Sequence, residues 1–185
     1  MELRAYLGKQ GLDDHLCSEL IPLFVYKEYG QGTTILHMGE NTSTISLILK
    51  GVVRGYFLDE KGNDVTKCFS KEGDWCCCYN FLQINPLSFS VETLEDCLLA
   101  QIEIHRLREM IEKYPIMQAI YEKLFRDAFM QVEDKGVSFQ RMTAKERYCS
   151  FIEKYPEISQ RVKQEYIASY LGITPSSLSR IKRGL

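Results

Sequence analysis

No stretch of this sequence approaches the roughly 18 consecutive apolar residues that a membrane-spanning helix needs. The opening segment, MELRAYLGKQGLDDHL, has no uninterrupted apolar run of the kind that marks a secretory signal, so the protein is expected to be cytoplasmic. Histidine is scarce: His15, His37 and His105 are the only three, and they are scattered. A metal-dependent jelly-roll enzyme needs clustered histidines and carboxylates, so that class is disfavoured and no enzyme activity is expected. The seven cysteines are odd in number, and none is spaced C-x-x-C. In a cytoplasmic chain this argues against a disulfide framework. Cys76, Cys77 and Cys78 are adjacent, so on a strand their side chains alternate between faces and cannot all meet one metal. They are expected to pack as small apolar residues, and no metal site is expected. Finally, the 17 residues from Trp75 to Val91 contain no charged side chain at all.

What is present fits an ordinary globular protein. Apolar residues make up 45% of the 185 and charged residues 26%, enough for a real core. The net charge is −2, but it is unevenly placed. Residues 143–185 hold eight Lys/Arg against four Asp/Glu, a net of +4, which leaves −6 for residues 1–142. An acidic body with a basic C-terminal part fits a modular protein in which only that part meets phosphate.

Periodicity divides the chain. Leu3, Leu7, Leu12, Leu16 and Leu20 recur at helical spacing. From Ile21 to Ile104, short β-branched and aromatic segments alternate with glycine turns. TISLILKG places Ile45, Leu47 and Leu49 on one face, and Asp59–Asp64 is a strong hairpin connection. Further strands are expected at Ser88–Leu94 and Cys97–Ile104. Many short strands over some eighty residues predict a jelly-roll or barrel. Helices follow: a short one from His105 to Tyr114, a long one from Pro115 to about Asp134, and another from Ala144 to Tyr155. In the long helix, Met117, Ile120, Leu124, Ala128 and Val132 form a stripe flanked by Phe125 and Phe129. That face is broader than one barrel needs, which suggests a helix from a second subunit against it. Gly136 and its polar surroundings read as a hinge.

Lys163–Gly184 reads as a terminal helix-turn-helix. Ile167, Leu171 and Leu178 can lock two helices together, and Ala168 lets them cross closely. Gly172 can take the positive φ of the turn. Thr174 is a suitable N-cap, with Pro175 at the first helical position. Ser176, Ser177, Ser179, Arg180, Lys182 and Arg183 are then left for solvent or for a DNA major groove, where Arg and Ser can bond base edges or phosphates.

Barrel, long helix, hinge and terminal helix-turn-helix, in that order, resemble the catabolite-activator/FNR (Crp/Fnr) family of bacterial transcription regulators over nearly the whole chain. Gly39-Glu40, Lys50-Gly51 and Gly73-Asp74 before Trp75 are similar to the family's cyclic-nucleotide-binding-type barrel, and YIASYLGITPSSLSRI to its DNA-reading element. The resemblance implies an α+β fold: an N-terminal β-roll with its dimerisation helix (residues 1–134, the helix being 115–134), a hinge (135–142) and a DNA-binding domain (143–185). It implies a homodimer on double-stranded DNA at a pseudo-palindromic site, with RNA polymerase as a further partner. Ser176, Ser177 and Arg180 fall where the family contacts base edges. Pro175 falls where some members carry another reader, so the operator should differ from theirs. The barrel would bias the hinge between DNA-competent and incompetent states.

Two departures from the family stand out. Cyclic-AMP-binding members carry a Glu and an Arg just after the Gly-Asp; here those positions are Cys78 and about Leu87. A phosphate buried there would have no countercharge, so cyclic AMP binding is not expected, and no cofactor is. A pocket lined by Trp75, Cys78, Tyr79, Leu87 and Phe89 should prefer a neutral or apolar ligand, or be empty. Iron–sulfur and haem variants fit no better, since only Cys17 lies near the N-terminus and the histidines are dispersed. The second departure is that Leu185 falls just past the reading helix. The β-hairpin wing of many relatives is thus expected to be missing, with weaker, less salt-dependent DNA binding. A thiol-based redox regulator using Cys76, Cys77 or Cys78 is the competing reading, although no positive charge in that window would lower a thiol pKa.

Overall fold

In the computed structural model, which describes residues 1–76 and 86–184, the β-rich half is a roll of two sheets. Its strands are β1 (Val25–Tyr29), β2 (Thr34–Leu36), β3 (Thr44–Lys50), β4 (Val53–Leu58), β5 (Asp64–Ser70), β6 (Trp75–Cys76), β7 (Ser90–Thr93) and β8 (Cys97–Glu103). One sheet has the order β1-β8-β3-β6 and the other β2-β7-β4-β5, and the described pairings are antiparallel. The hairpin at Asp59–Asn63 joins β4 to β5, closed by the Asp59 carboxylate, which accepts from the backbone of Lys61 and Asn63.

The alternation in β3 explains how this half is covered. Ile45, Leu47 and Leu49 point away from the roll into a cluster with Leu3, Leu7, Leu16 and Leu20. Those leucines come from α1 (Leu3–Lys9) and α2 (Asp14–Leu20), which close the outer face. Ile48 points the other way, into the space between the sheets, where it meets Val53, Phe89, Val91 and Leu99. Both faces of β3 are therefore buried, which is why its sequence is an apolar run and not a simple alternation.

The helical half begins with α3 (Ile104–Lys113) and α4 (Pro115–Arg141), followed by α5 (Ala144–Lys154), α6 (Pro156–Arg161), α7 (Gln164–Tyr170) and α8 (Pro175–Arg183). Pro115, Pro156 and Pro175 each occupy a first turn, where the missing N–H costs nothing. Thr143 and Glu146 form a reciprocal capping box at the start of α5.

Just past α5, Pro156 opens a further helix, α6. One expectation needs correcting: residues 135–141, read as a hinge, are helical and form the last two turns of α4, which runs unbroken for 27 residues. A single helical glycine costs only about 1 kcal/mol. Here Lys135 bonds the Lys67 carbonyl and Phe139 packs on the Arg147 guanidinium, so tertiary contacts outweigh that cost. The chain leaves helical geometry at Met142 and Thr143, both extended.

Candidate nucleic-acid interface

The helix-turn-helix is built as its apolar spacing requires. Ile167, Ala168, Leu171 and Leu178 are all nearly inaccessible and share a cluster with Tyr148, Phe151, Ile158 and Val162. Truncating a leucine so enclosed costs about 2–5 kcal/mol. Gly172 has φ +67°, the left-handed region the turn needs, and a Cβ there would lie 2.7 Å from the Phe139 ring. Its N–H bonds the Ser169 carbonyl, and that of Ile173 bonds the Ala168 carbonyl, closing the end of α7. The Thr174 hydroxyl then accepts the Ser177 amide at 3.2 Å and caps α8.

This frame leaves one side of α8 free. Thr174, Ser176, Ser179, Arg180, Lys182 and Arg183 are exposed, and Ser177 is half-buried. The Thr174 hydroxyl also bonds those of Ser176 and Ser177, and Arg180 reaches Ser177 at 3.4 Å. Lys182 donates to the Gln164 side chain at 3.0 Å, and Arg183 to the Ser179 carbonyl at 3.4 Å. Among the described residues, none of these three cations is paired with a carboxylate. The sequence-expected residues thus lie on one continuous surface, with Gln164 beside them. Gln164 carried no sequence signal, because its place depends on how α7 crosses α8.

The module is fastened to the roll at several places. Arg161 on α6 makes a two-pronged bond to Glu72, at 2.8 and 2.9 Å, and also bonds Glu95. Glu72 accepts the Gly51 amide as well, and its carboxyl is pulled down to about 2, chiefly by Arg161. Arg54, only 3% exposed, bonds Asp64 and Glu92, and its guanidinium lies 3.9 Å from the Tyr166 ring centre on α7. Lys71 pairs with Glu157. Phe69 of β5 packs between Phe151 and Tyr170.

The residues expected to line an effector pocket are dispersed. Trp75 packs on Phe24 and donates its indole N–H to the Tyr6 hydroxyl at 2.9 Å, in the outer cluster. Phe89 is buried in the separate cluster between the sheets, under the Lys67 ammonium. Leu87 is likewise enclosed, its backbone tied to Gly39 and Glu40. Cys78 and Tyr79 lie outside the described residues, as does Cys77. Cys76 is buried in the inter-sheet cluster, a poor setting for the exposed thiolate that redox sensing requires. Among the described residues there is no cluster suited to a metal ion, and no helix is long and apolar enough to cross a membrane.

Comparison with known proteins agrees with this architecture. Residues 26–114 match the cyclic nucleotide-binding domain family. The chain is 21% identical over 182 residues to the regulatory protein HlyX of Actinobacillus pleuropneumoniae, covering 92% of this chain and 75% of that one. Among solved structures, FixK2 from Bradyrhizobium japonicum is similar with a TM-score of 0.74 at 19% identity, over 88% of this chain and 84% of its own. The catabolite activator protein of Thermus thermophilus is similar with a TM-score of 0.59 at 20% identity, over 95% and 84%. The roll thus matches the cyclic nucleotide-binding domain family over residues 26–114, and the chain as a whole shares the fold of these regulators.

Proposed function

We propose that the protein is a homodimeric transcription regulator that reads a pseudo-palindromic DNA site with α8. The observation that carries this reading is the exposed side of α8: three cations without carboxylate partners among the described residues, and three serines, on a helix whose other side is sealed into a core. A helix so presented suits the major groove, with Arg180 placed to bond a guanine edge and Lys182 and Arg183 to meet phosphates.

Dimerisation is supported by α4. Phe125, Phe129 and Val132 are 45%, 61% and 61% exposed, and with Gly136 they follow the alternating four-and-three spacing of a coiled-coil seam. Met117 and Ile120, by contrast, turn toward the chain's own core. Pairing through this seam would present two α8 helices about one DNA turn, roughly 34 Å, apart. The roll acts without cyclic AMP in this reading: Leu87 and Phe89 fill space with apolar side chains, and no charge lies between Trp75 and Val91 to meet a cyclic phosphate.

Selection of bound sequences from a random DNA pool should yield an inverted repeat. Arg180→Ala should then weaken binding by about 1–3 kcal/mol and relax preference at one base in each half-site. An unchanged affinity and footprint would refute the reading.

A further inference from the structure

A cleft open to solvent lies where α4, α5 and α7 converge, away from the roll interior and the exposed side of α8. Its walls carry Lys135 and Phe139 from α4, Arg147 from α5, Tyr155 just beyond α5, and Tyr170 and Leu171 at the end of α7. Three cations face it, Lys154 being the third, against one carboxylate. That carboxylate, Asp134, is already paired with Lys154 at 3.2 Å.

The other two cations are held only by neutral groups. The half-buried Lys135 ammonium donates to the Lys67 carbonyl at 2.7 Å and lies 4.0 Å from the centre of the Tyr170 ring. Arg147 donates to the Leu171 carbonyl at 3.0 and 3.2 Å and to the Met142 carbonyl at 2.8 Å, with its guanidinium 4.7 Å from the Phe139 ring centre. Among the described residues, neither has a carboxylate partner. Burying a cation without a counter-ion is costly, and proteins ordinarily place a carboxylate beside one. The cost is felt at Lys135, whose ammonium is held down to about 8, first by burial. Beside these cations stand the ring faces of Phe139, Tyr155 and Tyr170. The Tyr155 and Tyr170 phenols bond each other, and burial pushes both up, so they remain protonated donors at neutral pH.

We propose that this cleft is an effector site for a small aromatic anion, its carboxylate or phosphate on Lys135 and Arg147 and its ring among Phe139, Tyr155 and Tyr170. The anion supplies the missing countercharge, and the rings supply an apolar slot that a bare inorganic ion cannot use. A ligand there touches the spine helix, α5 and α7 together, and so ties the orientation of the helix-turn-helix to that of α4. The binding site stands on its own; only this regulatory consequence rests on the DNA-reading function.

The test is calorimetric titration of the purified full chain with phenyl phosphate, benzoate and inorganic phosphate. Both aromatic anions should bind saturably, one per chain, and inorganic phosphate more weakly by about tenfold or more, for want of ring contacts. Lys135→Met, which keeps the length of the side chain, should weaken the aromatic anions by about tenfold or more. Ser138→Glu, which puts a carboxylate on the cleft wall without altering the core, should do the same, while Lys123→Met on the exposed side of α4 should not. Absence of saturable binding by either aromatic anion, equal binding by inorganic phosphate, or undiminished binding by both cleft variants would overturn the proposal. DNA is not present in this titration, so its result is separate from that of the operator selection.

Discussion

The Ser169 hydroxyl accepts the Thr66 amide at 2.8 Å and donates to the Asp64 carbonyl at 3.1 Å. Among the described residues β5 lies at the edge of its sheet, with no strand beside it to pair with those two backbone groups. A helix of the helix-turn-helix, α7, supplies both bonds through one side chain. With the Arg161–Glu72 and Arg54–Tyr166 contacts, this makes the roll and the helix-turn-helix a single packed unit.

Replacing that hydroxyl should loosen the join. Ser169→Ala is expected to cost about 1–3 kcal/mol, the range for leaving partly buried backbone groups unpaired. Denaturant titration measures the loss, and amide hydrogen exchange at Thr66 should quicken more than exchange within β3. Unchanged exchange at Thr66 would contradict the contact.

The Glu72 carboxyl gives the join a defined pH response. Its folded value, about 2, lies below the ordinary 4.5, so the folded state favours the ionised form. The stabilisation is complete above the ordinary value and is lost as pH falls through the interval between 4.5 and about 2. Wild type should therefore be more stable than Glu72→Gln at neutral pH, with the difference shrinking over that interval. A pH-independent difference would show that Arg161 does not hold the carboxylate.

At Gly172 two costs are separable. Gly172→Ala forces an L-residue to φ +67° and presses a methyl group toward the Phe139 ring. We expect a loss of about 1–3 kcal/mol from both terms. In a Phe139→Ala background the substitution should cost less, because the ring contact is gone, but not nothing, because the backbone strain remains. Thermal melts of the four proteins give the coupling.

Val132→Glu places a charge in the exposed seam of α4. Sedimentation should show monomers in place of dimers, the far-ultraviolet dichroism should be unchanged, and binding to a full inverted repeat should fall toward that of a half-site. A variant still dimeric at micromolar concentration would exclude the seam.

Titration with cyclic AMP should give no heat of binding in the micromolar range. Saturable binding there would require a cation for the phosphate, which residues 75–91 do not contain.

Much of this architecture is legible in the residues alone. Local rules sufficed where an element is determined by its own sequence: the turn at Gly172, the cap at Thr174, the hairpin at Asp59–Asn63 and the alternating faces of β3. The polar side of α8 followed in the same way, because burying Leu178 dictates which residues remain outside. Local rules failed at Gly136, where glycine and polar neighbours suggest a break but packing by Lys135 and Phe139 keeps the helix intact. They also failed to group Trp75 and Phe89 correctly, since those residues belong to clusters separated by a sheet.

What the sequence determined by itself was the order of elements, the fold class and the identity of the exposed basic helix, because periodicity, caps and turns act over a few residues. What only the tertiary structure decided was how the parts meet: Ser169 on the edge of β5, Arg161 between Glu72 and Glu95, and two cations facing one cleft without a carboxylate. Those contacts join residues some twenty to one hundred positions apart, and no short-range pattern encodes them. Burial is a property of the assembled chain, and with it comes the cost of an unpaired charge.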